Sequence, residues 1–420
     1  MFKKMIAIIT SVIILLTPIQ ASAVTWGEIL TGLQASDTFT SGETAAARTS
    51  EGEYVISGGQ IEELVEVSKL QFSDSLKVLF QNIGIEQLDA HAVNGKTIVV
   101  ILGSGSEVKG RVNVSAHGKD TNLSLTNEGK MGYLEANVLD QAQAAIKNNE
   151  EIMRGMHNWV QDEGSRLEFV NDKEGRITGG MDNGAGEKGE FVFTNNGTIS
   201  GEQFNGAFDG GMLKNTNNGT MNVTNDRLHN YARGGGSFVE STNNGTINGG
   251  VMNQADHEGS RNAATNNGTV NGQYEFYTGG GGEVSGENNG TVNNLYAGAD
   301  GGRVSAVNNG KVKEEIRADA SHESMKADVT VINSNENAEV SADLVDSSLY
   351  GIAYDVRRIG FQEMVNLHRC AETVALVDVE GNQNLITWME AAGLLFKRKK
   401  QIFFQTPVQK CSDLSGSSYV

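Results

Sequence analysis

The chain has 420 residues, with 33 lysines and arginines against 52 aspartates and glutamates. The formal charge of −19 opposes nucleic-acid phosphates and anionic membrane surfaces alike. Fifty-two glycines accompany two prolines, which excludes a collagen-like helix and a proline-rich stalk. Cys370 and Cys411 stand apart from any CxxC or histidine pattern, so no metal or cofactor is implied.

MFKK supplies a basic start, MIAIITSVIILL an apolar stretch and Ala21-Ser22-Ala23 a small-residue cleavage site. Residues 1–23 are therefore predicted to be a signal peptide, with the mature chain beginning at Val24. The stretch is shorter than the roughly 20 residues of a membrane span and nothing later matches it, so no transmembrane segment is expected after cleavage. A secreted or cell-surface location follows. Residues 24–96 read as an N-terminal cap containing helix, because QIEELVEVSKLQFSDSLKVLFQNIG is rich in helix formers. KTIVVILGSGSEV then opens a β region.

Within residues 97–345 one phrase recurs: TNNGTI at Thr194 and Thr242, TNNGTM at Thr216 and TNNGTV at Thr265. Its glycines, Gly197, Gly219, Gly245, Gly268, Gly290 and Gly310, are spaced 22, 26, 23, 22 and 20 residues apart. The series extends back through Gly175, Glu150 and Gly129. Two residues after each reference position stand Met131, Ile152, Ile177, Ile199, Met221, Ile247, Val270, Val292 and Val312, all aliphatic. Six residues before it runs a second inward column, Phe191, Leu213, Val239, Val284 and Val304, interrupted by Asn262. Short β-rich pieces between glycine turns at this period predict a mainly β fold. The architecture is a single-stranded parallel β-helix of about 22 residues per coil, each coil made of about three short strands, with small mixed α/β caps at both ends.

Stacking at about 4.8 Å places Asn195, Asn217, Asn243, Asn266, Asn288 and Asn308 in a column able to pass amide hydrogen bonds from coil to coil. The Asn-Gly pair that follows suits a corner taken through positive φ. The phrase also spells the N-G-T glycosylation acceptor at Asn196, Asn218, Asn244, Asn267 and Asn289. Gly310 keeps the turn in NNGK after the threonine is lost, which favours the structural reading. Residues 134–160 carry a near-heptad apolar stripe compatible with a helix. NNEEI lies in phase with the repeat, however, and HNWVQDEGS mirrors HNYARGGGS, so another coil is expected there.

Beyond Val340 the repeat dissolves. Residues 346–420 are expected to form an α/β cap or tail, with helix over SLYGIAYDVRRIGFQEMVNLHRC and a strand at ETVALVDV. Cys370 and Cys411 either close a disulfide there or stand as separate thiols. Lys397-Arg398-Lys399-Lys400 reads as a solvated basic run.

Asp209, Arg233, Asp256 and His257, just before the glycine-rich corners of adjacent coils, are the candidates for catalysis. Arg233 and Asp256 each lie twelve residues before their reference glycines, which makes them neighbours about 5 Å apart and an inter-coil ion pair. Uniform coil lengths leave few residues for the walls of a cleft. Phe208, Tyr231, Tyr277 and Tyr296 occupy similar places, and Trp159 matches Tyr231. Facing outward they form platforms for sugar rings or for a partner's apolar surface. Facing inward they form a core stack, the arrangement expected because aromatic stacks fill solenoid interiors.

The export signal together with NNGTI, NNGTV and GGGGEV resembles bacterial secreted β-helix repeat proteins, including adhesins of the haemagglutinin-like and GLUG-repeat kind. The resemblance implies a non-enzymatic adhesion or interaction rod whose partner is a polysaccharide or cell-surface glycan. A polysaccharide lyase or glycoside hydrolase using the Asp209 to His257 edge is the alternative, and a structural spacer in an envelope or matrix is another. Oligomeric state is not legible.

Overall fold

The computed structural model describes residues 23–320 and, beyond them, the strands Ala327–Asn333, Asp343–Asp346, Ile352–Asp355, Thr373–Val377, Gln383–Thr387, Leu394–Arg398 and Gln401–Gln405. The predicted signal peptide, both cysteines and most of the predicted tail helix lie outside the described residues.

The fold is a parallel β-solenoid with two facing sheets. In one coil Met212–Asn217 lies in the first sheet, the chain turns at Asn218-Gly219, and Thr220–Arg233 crosses the second. A corner at Gly234–Ser237 then returns it to Phe238–Asn243 in the first sheet. Stacked strands pair in parallel: Asn217 faces Asn195 and Asn243, and Met221 faces Ile199 and Ile247. The three short strands predicted per coil become two, because the stretch after the Asn-Gly corner runs as one long strand that bends at an irregularity. That irregularity falls between Asn222 and Arg227 in the coil above. Two adjacent coils break there outright, into Glu151–Ile152 and Met156–Val160, and into Arg176–Thr178 and Met181–Gly186.

Period-two alternation sends both predicted aliphatic columns inward, with none of their members more than 2% exposed. Asn262 is tolerated in its column because its amide donates to the Asn230 carbonyl at 2.9 Å. The asparagine column is a buried ladder from Asn127 to Asn308. Each Nδ2 donates to Oδ1 of the next coil at 2.7–2.8 Å. Outside it the second asparagines of the phrase form an exposed row in which Nδ2 donates to the preceding coil instead, at 2.8–3.0 Å from Asn218 to Asn309. The sequon nitrogens of Asn218, Asn244, Asn267 and Asn289 are thus donors along this row.

Positive φ is not what the corner glycines supply. Residues with φ above zero cluster at the opposite corner, at Asp209, Gly234, Gly236 and His257 among others. At Gly245 the requirement is proximity: a Cβ would lie 2.1 Å from the Gly219 carbonyl oxygen, far inside contact distance.

An α-helix, Trp26–Ser36, covers the N-terminal end. Thr25 and Glu28 close a capping box, and Trp26, Ile29 and Leu33 are buried. The helix predicted over residues 60–84 is instead the strands Gln60–Glu66 and Ser75–Gln81. These stack in parallel beneath later coils, with Ile61 facing Ile85 and Val78 facing Val100. Leu76, Val78 and Phe80 are buried at every second position, and the gain from stacking that face overrides local helix propensity.

Three substitutions test the corner. Gly245→Val is expected to destabilise by about 1–3 kcal/mol through overpacking, read as a lowered unfolding midpoint. Asn217→Leu leaves Asn195 Nδ2 and Asn243 Oδ1 without their ladder partners and is expected to cost about 2–4 kcal/mol. Asn218→Ala, on the solvated row, is expected to cost under about 1 kcal/mol.

Candidate binding face

The outer surface of the long-strand sheet carries the side chains of interest. Strand pairing aligns Trp159, Gly184, Gly206, Tyr231, Gln254, Tyr277 and Gly298 in one column. Phe208 lies one column toward the glycine-rich corner, aligned with Gly186 and Arg233. Tyr296 lies one column away from that corner, aligned with Glu275. The five predicted aromatic positions therefore occupy three adjacent columns.

They face outward, against the inward expectation. Trp159, Phe208, Tyr231, Tyr277 and Tyr296 are half-buried, whereas the residues before and after each are buried, except Asp209, which follows Phe208 into the exposed corner. The reason lies inside the coil. The flanking inward positions hold a second asparagine ladder, Asn158 to Asn253, bonded at 2.8–3.0 Å. Beside it runs a column of small residues, Ala185, Ala207, Ala232 and Ala255. At these coils the inward places are taken by asparagine and alanine, and the buried rings sit elsewhere in the core, at Phe169, Phe191, Phe193 and Phe276.

Glycines decide how the rings lie. A Cβ on Gly184 would fall 2.0 Å from Cζ3 of Trp159, and one on Gly186 would fall 3.2 Å from Cζ2. The indole therefore lies over the bare backbone of the next coil. Its ring stacks with Phe208 at 5.8 Å across that coil. Phe204 and Tyr231 pack on Phe208, at 6.4 and 6.0 Å, and His229 contacts Phe204 and Tyr231 at 5.4 and 5.3 Å. The result is one continuous aromatic patch. Burial holds the His229 imidazole below its usual pKa, with Arg227 adding to the effect, so the patch is uncharged at neutral pH. Burial raises the Tyr231 phenol, as does its hydrogen bond to Asp256.

Phe204 and His229 were not among the predicted binding residues. The signal was present in HNWVQ and HNYAR, where histidine and the aromatic flank an inward asparagine and so share one outer face.

The four catalytic candidates are only partly brought together. Arg233 and Asp256 are register neighbours, as expected, but the expected ion pair does not form, because Asp256 is held by other donors. The Asp256 carboxylate accepts hydrogen bonds from Tyr231 Oη and Gln254 Nε2, both at 2.9 Å, and from the Gly279 N–H at 3.1 Å. Those donors give it a structural task. Asp209 and His257 are exposed corner residues with φ of 49° and 79°, and Gly234 stands between them in the stack, about 10 Å of separation for two coil steps. Among the described residues no group of three or more histidines, cysteines and carboxylates is placed to hold a metal ion, and no helix is long and apolar enough to cross a membrane. No family model, curated protein or solved structure matches the chain.

Proposed function

We propose that this solenoid is an exported, non-enzymatic binding rod that holds glycan chains on its aromatic outer face. The observation that carries the reading is the Trp159 ring lying over glycine backbone and joined to Phe204, Phe208, His229 and Tyr231. A pyranose ring has an apolar face of C–H bonds and an edge of hydroxyls, so it requires a flat apolar platform with hydrogen-bonding groups at its rim. Asp182, Arg233 and Gln254 supply such a rim, each aligned within one or two coils of a ring. The platform is built on sheet rather than loop, so little ordering opposes binding. Tyr277 and Tyr296 continue the face along the stack, which suits a polymer offering repeated units. The signal peptide read in residues 1–23 would deliver the rod to where such polymers are.

Trp159→Ala and Tyr231→Ala are each expected to weaken retention on polysaccharide surfaces by about 1 kcal/mol, roughly fivefold in affinity, with unchanged circular dichroism. Asp256→Asn keeps an acceptor for Tyr231 and is expected to bind like wild type. Release of new reducing ends by wild type, lost in Asp256→Asn or Arg233→Ala, would make the chain a lyase or hydrolase instead. Retention on no glycan surface by any variant would leave the spacer role.

A further inference from the structure

Just past the Asn-Gly corner, the long-strand sheet carries two outward ranks that neither the core nor the aromatic patch uses. Thr198, Thr220, Thr246, Thr269 and Thr291 stand in register in consecutive coils. Two residues on, Ser200, Asn222, Asn248 and Asn271 form a second rank, joined from coil to coil by amide hydrogen bonds at 2.7–3.2 Å. The residues between the ranks, such as Met221 and Ile247, are buried, so both ranks belong to one outer face. Pairing is unshifted from Thr198 to Ser200 and from Thr220 to Asn222, and the irregularities begin only beyond the second rank, after Gly201 and Asn222. Strand geometry makes this a grid of about 4.8 Å along the stack and about 7 Å across it.

The fold does not require these side chains. Strand propensity accounts for threonine here but not for asparagine, which strands disfavour. Asn248 and Asn271 are exposed, and a hydrogen bond that replaces one to water contributes little to stability. Charge is also kept out: 20% of the chain is charged, yet neither rank holds a charged residue from Thr198 to Asn271. Lysine enters only at the next coil, at Lys311 opposite Thr291 and at Lys313, whose Nζ donates to Asn293 Oδ1. The exposed asparagine row of the corner borders the threonines on their other side and is uncharged as well.

A ligand for such a face is itself uncharged, repeats at the spacing of the coils and bonds to hydroxyls and amides held in fixed places. Hexagonal ice has all three properties, being a lattice of neutral oxygens whose repeat along a basal axis is close to the strand spacing. Threonine suits it twice over, because its hydroxyl joins the lattice while its methyl group orders water beside it. Each contact is weak, but many act together on a rigid face that loses little freedom on binding. We infer that the threonine rank from Thr198 to Thr291 and the rank from Ser200 to Asn271 bind the surface of ice crystals. The aromatic patch lies beyond the irregularity on other residues, so the glycan reading and the ice face stand or fall separately.

The test is thermal hysteresis and inhibition of ice recrystallisation by the mature protein. Thr246→Lys and Thr269→Lys put charge into the middle of the first rank, in a column where Lys311 shows that lysine fits the strand; Asn248→Lys does the same in the second. Wild type is expected to inhibit recrystallisation, and each of these variants to need about tenfold more protein for the same inhibition, with unchanged circular dichroism. Thr216→Lys, on the outer side of the other sheet, and Trp159→Ala are expected to act like wild type. No hysteresis and no inhibition by wild type overturns the inference, as does full activity in all three rank variants. Equal loss in Thr216→Lys also overturns it, since the effect would then follow net charge and not the ranks. Retention on crystalline cellulose or chitin that Thr246→Lys abolishes, with no effect on ice, would give the ranks to a polysaccharide surface instead.

Discussion

At the Asn-Gly corner, the carbonyl oxygen of one coil lies 2.1 Å from where a side chain on the next would begin, at Gly219, Gly245 and Gly268 alike. This closeness brings the asparagine before each corner into line with its counterparts above and below. An amide buried singly would lose hydrogen bonds that water had supplied. In a stack each amide gives one to the next coil and takes one from the last, so the cost falls on the ends alone. A slip of one residue would turn the asparagines outward and the aliphatic columns with them, so the ladder holds register for the whole solenoid. Because inward columns are locked, outward columns are locked too. The outer face is therefore a rigid grid rather than a collection of surface side chains.

The two asparagine rows at this corner run in opposite senses. Buried amides donate toward the C-terminal end, as from Asn217 to Asn243, and exposed amides donate toward the N-terminal end, as from Asn244 to Asn218. Aligned amide dipoles add along a row as peptide dipoles do along a helix. In a low-dielectric interior, such a row would concentrate partial charge at its ends. An adjacent row of opposite sense offsets that field within a few ångströms, and both rows come from one Asn-Asn pair. The doubling of the asparagine has a physical use beyond filling a turn.

Much of this was legible because the repeat is long and the inward columns are regular. The aliphatic residues from Met131 to Val312 and the ladder asparagines all fall where their spacing puts them. The corner was located correctly and explained wrongly: positive φ and close approach both select glycine, and sequence does not separate them. The segment Gln60–Gly84 misled because Glu, Leu and Lys favour helix in isolation, whereas the alternation in SLKVLFQ suits a stacked strand. The aromatic rings were assigned to the wrong side because position relative to the corner gives a column only to within one or two residues, and in a strand one residue changes face. Reading His157-Asn158-Trp159 against His229-Asn230-Tyr231 as ladder asparagines would have fixed the side.

Regularity also locates the place where something other than stability is provided. A solenoid gains most when each coil repeats the last, so departures that lower that gain stand out against the pattern. Two coincide within a few coils: the long strand breaks at Arg154-Gly155 and at Gly179-Gly180, and Trp159 lies outside the core over Gly184. Neither improves stacking. The exposed rings forgo burial in the core, and the breaks interrupt the long strand although Met153, Arg154 and Gly179 still donate to neighbouring coils. Together they set an aromatic patch beside a dip in the long-strand face. On the proposed reading, that combination suits a ligand with one apolar face and many hydroxyls.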